Sequence, residues 1–181
     1  MEPDVERRLI ARWRHGDRQA FRRLFDGHRS YVYRIALRMA GSPQSAEDVE
    51  QESWMKAMDA IHSFDGRSRF KTWLTRIVIN TAIDRRRKSE RHPAPEHLRE
   101  GTAAATHGPA AHAEAEELES ALETEMQALP AEQRAALLLV GFEGLSYAQA
   151  AEAMSCPEGT LAWRIAEARR KLARRLAPYL D

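Results

Sequence analysis

Cations gather in two runs along this chain. Arg67, Arg69, Lys71 and Arg76 lead into Arg85-Arg86-Arg87-Lys88, and Arg164, Arg169, Lys171, Arg174 and Arg175 punctuate the last helical segment. Guanidinium and ammonium groups at this density suit the phosphates of a polyanion. Covalent chemistry has no comparable support. No nucleophile stands with a base and a third orienting group, and no glycine loop is built to cradle a phosphate. The chain is therefore expected not to be an enzyme and to use neither a small-molecule substrate nor a cofactor. Its seven histidines show no metal-ligand spacing, and a single cysteine, Cys156, cannot form an internal disulfide or a cysteine-based zinc site, so no metal is expected. Carboxylates cluster at Glu47, Asp48, Glu50 and Glu52 and again from Glu114 to Glu125, so the net charge of +1 hides strong segregation. Acidic faces repel a polyanion and suit a basic protein surface.

The elements that must position these groups read as helices. Ser146-x-x-Gln149 is a capping box opening a short helix, Ser155-Cys156-Pro157 breaks it, and a second helix starts near Glu158 with Leu161, Ile165, Ala168 and Leu172 as its buried stripe. Helix, tight turn and basic helix together make a helix-turn-helix, a shape that reads duplex DNA. Upstream, Leu9 and Trp13, then Phe21, Leu24 and Phe25, mark two short helices divided by Gly16-Asp17, and Tyr31 to Met39 a third ending at Gly41. Ser45 is expected to cap the next, which buries Val49, Trp54, Ala57 and Ile61. A loop, Ser63 to Ser68, gives way to a helix burying Phe70, Trp73, Leu74, Ile77 and Thr81 and dissolving in the basic run that ends at Lys88. A further helix lined by Leu118, Leu122, Met126 and Leu129 stops near Pro130, and Leu137 to Phe142 form a buried helix ended at Gly144.

Between these blocks, residues 89–112 are rich in Pro, Gly, Ala, Thr and His and carry almost no large apolar side chain, too few to offset the entropy of ordering. The expected architecture is all-α: a helical domain over 1–88, a flexible linker over 89–112, and a helix-turn-helix domain over 113–181. With 43% hydrophobic residues, a mean hydropathy of −0.60 and no long apolar run, no membrane insertion is expected. The N-terminus has no signal-peptide pattern, which predicts a cytoplasmic protein.

Several motifs occur in a recognisable order. Ala46-Glu47-Asp48-Val49-Glu50-Gln51-Glu52, Phe64-Asp65-Gly66, Phe70-Lys71-Thr72-Trp73-Leu74 and Asn80-Thr81-Ala82-Ile83-Asp84-Arg85 resemble the first conserved domain of extracytoplasmic-function RNA polymerase sigma factors. Leu129-Pro130-x-x-Gln133-Arg134, Glu143-Gly144-Leu145-Ser146-Tyr147 and Gly159-Thr160 resemble the second. The resemblance implies a bacterial alternative sigma factor, nucleoid-associated when active. It implies as partners core RNA polymerase, through its β′ clamp and β flap, promoter DNA and an anti-sigma factor.

By the same resemblance Asp48, Gln51, Glu52 and Lys56 face the clamp, although the spacing alone equally suits a solvated helix face. Phe64, Arg67, Ser68, Lys71, Arg76, Asn80 and Asp84 would read and trap the −10 element, and Arg85, Arg86, Arg87 and Lys88 would hold backbone phosphate. Glu158, Gly159, Thr160, Trp163, Arg164 and Glu167 would meet the −35 element. Here the sequence departs from its relatives, which commonly carry cations where Ala162 and Glu167 stand and a small polar residue where Trp163 stands. Trp163 reads equally as a groove contact or as a core or interface residue placed off the main stripe. Two alternatives follow: a sigma mimic that sequesters an anti-sigma factor without reading DNA, and a stand-alone helix-turn-helix repressor.

Overall fold

Asp17 starts the longest helix by accepting the backbone N–H groups of Gln19 and Ala20 at 2.9 and 3.1 Å, satisfying donors that the first turn leaves free. The computed structural model describes residues 2–91 and 113–179. Four helices form the first block: α1 (Pro3–Arg14), α2 (Arg18–Ala40), α3 (Pro43–Ala60) and α4 (Phe70–Arg91). Four more form the second: α5 (Ala113–Gln127), α6 (Ala131–Leu137), α7 (Tyr147–Ala153) and α8 (Glu158–Leu176). There is no strand among the described residues. The linker expected over 89–112 lies, from residue 92 onward, outside them.

Three expected boundaries are corrected. The second and third helices are one, because Gly27 has ordinary helical backbone and the stripe Leu24, His28, Val32, Ile35 and Met39 runs through it unbroken. Only at Gly41 does φ turn to +81°, ending α2 in the left-handed cap that glycine favours. Ser42, not Ser45, caps α3: its hydroxyl accepts from the Ser45 N–H at 3.3 Å, with Pro43 supplying the preset φ of a first helical residue. α4 outlasts Lys88 by three residues, helped by the pair of Arg86 Nε with Glu90 Oε1 at 3.0 Å, one turn apart.

Aromatic packing centres on Phe70, which is 1% exposed and touches the rings of Trp13, His28, Phe64 and Trp73 at centroid distances of 5.3 to 6.4 Å. The expected core residues Phe70, Leu74 and Thr81 are buried, and Trp73 and Ile77 pack partly buried against them. His28 lies beside Phe70 with Nε2 at 2.8 Å from Glu6 Oε1. Burial pushes its imidazole below the usual value and Lys71 adds to that, while Glu6 pulls the other way. A base whose pKa is lower folded than unfolded stabilises the fold above the unfolded pKa, and that stability is lost as pH falls. Acidification below about pH 6.5 is thus expected to lower the melting temperature, and a His28→Gln chain to show a shallower loss over the same range.

In the second block the segment before Gly144 is a helix that begins earlier than expected, at Ala131, and closes with a π-type turn over Leu138–Phe142. That wider turn carries Phe142 outward to 51% exposure, where the periodicity had placed it inside. The capping box is present in full: Ser146 Oγ accepts from Gln149 N at 3.2 Å and Gln149 Oε1 from Ser146 N at 3.0 Å. Ser155, at φ +50°, makes the tight turn into α8.

The two blocks meet. α2 packs on α5 and α6, and α4 on α6 and α7. At the junction Arg134 is fully buried and has no carboxylate partner among the described residues. Its guanidinium donates to Met39 O and Gln127 Oε1 through Nη1, and to Gln127 O at 2.6 Å and Leu129 O at 3.2 Å through Nη2. Those carbonyls end α2 and α5, where unpaired C=O groups concentrate negative potential, so the ends of two helices take the place of a counter-ion. Gln127 completes the lock, its Nε2 donating to Arg38 O at 2.9 Å.

Candidate nucleic-acid interface

The i, i+4 periodicity of α4 sorts its polar residues into two sets. Arg76, Asn80, Asp84 and Arg87 recur every three or four residues and form one row, whereas Lys71 sits on the α2 side, its Nζ 4.0 Å from the centroid of the Tyr31 ring. The residues expected to trap a strand therefore do not share one face. Arg67 is exposed in the loop before α4, where Gly66 takes φ +77° and Asp65 accepts the Arg67 N–H at 3.0 Å; Ser68 is half-buried beside it.

Phe64 corrects the expectation of an accessible ring in this loop. It is 6% exposed and packs on Phe70 and Trp73 with centroids 5.7 and 5.3 Å away. An aromatic residue next to a core of three other aromatics gains more from joining it than from facing water. In this conformation it offers nothing for a base to stack on.

On α3, Asp48 and Gln51 face outward and Glu52 is half-buried. Arg85 crosses from α4 to bind both carboxylates, Asp48 Oδ2 at 2.6 Å and Glu52 Oε2 at 3.1 Å, and Lys56 binds Glu52 at 2.9 Å. Partial burial raises the Glu52 pKa, but the bonds from Lys56 and Arg85 outweigh it and hold the carboxyl below its ordinary value. Arg85, expected on a phosphate, thus joins the acidic face of α3 to the basic end of α4. Arg86 donates to Gln127 O at 3.2 Å and Arg87 pairs with Glu132, both across the block junction, while Lys88 is exposed.

The junction covers more of the expected −10 surface. Arg76 Nη2 donates to Ser155 Oγ at 2.7 Å, and Lys71 Nζ lies 3.9 Å from Glu143 Oε2. Glu143 is a motif residue to which the sequence pattern assigns no role, and Arg34 and Arg38 also face it. The signal was available: Tyr31, Arg34 and Arg38 recur at i, i+3 and i+7, one face of α2.

On α8, Leu161, Ile165 and Ala168 are buried and Trp163 lies on the opposite side, 61% exposed. That exposure excludes a core role for Trp163 and leaves a groove contact or a protein interface. Glu158 and Gly159 are exposed and Thr160 and Arg164 half-buried, so the first two turns offer a mixed polar and aromatic surface. Glu167 is turned aside: its Oε2 accepts from Arg170 Nη2 at 2.6 Å, and its side chain is 16% exposed. Among the described residues no group of His, Cys, Asp and Glu could hold a metal ion, and no helix is long and apolar enough to cross a membrane.

Comparison with known proteins gives this geometry a family. Residues 24–92 match Sigma-70 region 2 and residues 119–172 match Sigma-70 region 4. The RNA polymerase sigma-H factor of Pseudomonas aeruginosa is 35% identical, over 98% of this chain and 96% of its own. The ECF RNA polymerase sigma factor SigM of Mycobacterium tuberculosis is also 35% identical, over 96% and 85%, and SigW of Bacillus subtilis 30%, over 97% and 98%. Among solved structures, the sigma factor RpoE in complex with the anti-sigma factor NepR from Bartonella quintana superposes with a TM-score of 0.67 at 27% identity, covering 87% of this chain and 96% of that one. Two helical blocks, an acidic α3 beside a basic α4, and a helix-turn-helix in a chain matched along nearly its whole length lead to one conclusion: the protein belongs to the ECF RNA polymerase sigma factors.

Proposed function

We propose that this sigma factor binds core RNA polymerase through the outer face of α3, with Asp48, Gln51, Glu52 and Lys56 as contacts. From there it presents α4 to the −10 element and α8 to the −35 element. The domains that do this are residues 1–88 and 113–181, joined by 89–112. The observation that carries the reading is the Arg85 bridge, which ties the carboxylates of α3 to the basic end of α4. A polymerase subunit that competes for Asp48 and Glu52 releases the Arg85 guanidinium for phosphate, so docking and strand binding are coupled through one side chain. Arg76, Asn80 and Asp84 then form the row that meets the separated strand, and capture of an extruded base offsets an unstacking cost of a few kcal/mol without ATP. On α8, Thr160 and the free N–H groups of the helix start suit a phosphate, and Trp163 and Arg164 the base edges.

An anti-sigma factor is the proposed regulator. Support comes from the junction itself, which already occupies Lys71, Arg76 and Arg87, and from the RpoE relative, whose structure contains such a partner. A soluble chain that meets polymerase in the cytoplasm fits this role.

Run-off transcription tests the proposal. Purified chain mixed with core polymerase and a pool of genomic promoter fragments is expected to yield transcripts from a small subset of them. Transcripts no different from those of core polymerase alone would overturn it.

A further inference from the structure

Glu143 leaves the turn after α6 and enters a recess on the first block where its side chain is 4% exposed. Three cations surround it: Arg34 Nη2 and Lys71 Nζ at 3.9 Å from Oε2, and Arg38 Nη1 at 3.7 Å from Oε1. All three distances exceed a hydrogen bond, and Oε1 has no hydrogen-bond partner among the described residues. A buried carboxylate normally gathers short, charge-assisted bonds. Here a single negative charge, with the Tyr31 hydroxyl beside it, faces three positive ones at 3.7 to 3.9 Å.

The recess is built from the first block alone. Tyr31, Arg34 and Arg38 share one face of α2, and Lys71 comes from the first turn of α4. Tyr31 fixes the floor: its hydroxyl bonds Thr75 Oγ1 at 2.7 Å, and Lys71 and Arg34 lie 4.0 and 5.4 Å from its ring centroid. Burial pushes the Tyr31 hydroxyl up to about 12, against the Thr75 bond and with Glu143 adding to the rise, so it stays neutral and leaves the positive charge uncancelled. Arg38 is held from its other side by the Phe142 ring at 4.7 Å. Three half-exposed cations around a carboxylate that hydrogen-bonds none of them describe a site with room for a larger anion.

We propose that Arg34, Arg38 and Lys71 form a phosphodiester-binding cradle for the promoter strand, which Glu143 fills when the two blocks are closed. The inference rests on the reading that the first block binds promoter DNA, and adds two contacts on α2 together with the internal group that competes for them. A tetrahedral phosphodiester, whose single negative charge is shared by two non-bridging oxygens spread wider than those of a carboxylate, can approach all three cations more closely than Glu143 does. Arg76, released from Ser155 when α7 withdraws, adds a further cation on a different face of α4. Contacts of this kind add affinity and salt dependence without sequence preference.

The probe is a fluorescent single-stranded oligodeoxynucleotide of mixed sequence, titrated with the full chain at a series of salt concentrations. Glu143→Gln keeps the shape and removes the charge, and is expected to bind about tenfold tighter at low salt. The slope of log K against log salt should steepen by about 0.7, the increment for one single-strand phosphate. Adding Arg34→Gln and Arg38→Gln should erase both gains. An affinity within twofold of the parent, or a gain that survives loss of the two arginines, would overturn the cradle and leave the Glu143 contacts a junction only.

Should Glu143→Gln melt too low to assay, Arg34→Gln with Arg38→Gln in the holoenzyme gives the second reading. The slope for a −10 strand should fall by about 0.7, and an unchanged slope overturns the cradle. A chain that fails to join core polymerase contradicts the proposed function instead, and leaves the oligonucleotide result to stand for itself.

Discussion

Replacing Arg134 by methionine is expected to lower stability by on the order of 3 kcal/mol, a melting-temperature drop of roughly 10 °C for a chain of this size. The guanidinium serves four oxygens at once: Met39 O, Gln127 O, Gln127 Oε1 and Leu129 O. Methionine fills much of the volume and donates to none of them. Each orphaned buried acceptor costs about 1–3 kcal/mol, and relief from burying a charge returns part of that sum. Lysine is expected to rescue little, because its three donors radiate from one point and cannot span oxygens belonging to two helix ends. Thermal melts of Arg134→Met and Arg134→Lys beside the parent check this. A loss under about 1 kcal/mol would mean that water reaches those carbonyls. Because Met39 O belongs to the first block and the other acceptors to the second, the methionine chain should also loosen the junction.

Reversing charge at Asp48 and Glu52 together, both to lysine, is expected to weaken core polymerase binding at least about a hundredfold, since like charges brought together at an interface cost several kcal/mol. Helicity should not change: both side chains are partly or largely solvent-facing on α3. The structure adds a control. Both carboxylates bind Arg85, so the reversal also breaks two internal pairs. Arg85→Ala breaks the same pairs while leaving the acidic face intact, and should keep or raise polymerase affinity. Fluorescence titration of labelled chain with core polymerase separates the cases. Equal losses in both variants would place the effect in the helix pairing and remove α3 from the docking surface.

Much of the fold could be read from pattern because its determinants are local. The capping box at Ser146 and Gln149 and the stripe Leu161, Ile165 and Ala168 each lie within a few turns of one helix, and both features stand as expected. Errors came where a residue has two uses. Gly27 could have ended a helix but sits within an unbroken apolar face, and Ser45 could have capped α3 had Ser42 not stood before Pro43. Phe142 follows the apolar period, yet a π-type turn shifts its direction.

The candidate surfaces were partly legible for the same reason. Charge runs named the cations, and outward faces followed from periodicity, as at Asp48 and Arg76, whereas Trp163 stood open between two readings. What periodicity could not supply is the pairing of positions 37 to 109 residues apart: Arg85 with Asp48, Arg76 with Ser155, Arg34 with Glu143. Arg134 carries no trace of burial in its local pattern, since its acceptors are main-chain carbonyls that every residue owns.

The junction sets oxygen atoms against four of the cations that the promoter is proposed to meet: Glu143 on Lys71, Ser155 on Arg76, the Gln127 carbonyl on Arg86, Glu132 on Arg87. Dissolved ions weaken the charged contacts of Lys71 with Glu143 and Arg87 with Glu132 as they weaken DNA attachment, but act little on the bonds of Arg76 and Arg86 to neutral oxygens. Rising salt is therefore expected to loosen the proposed DNA contacts more than the junction, and to favour the closed chain.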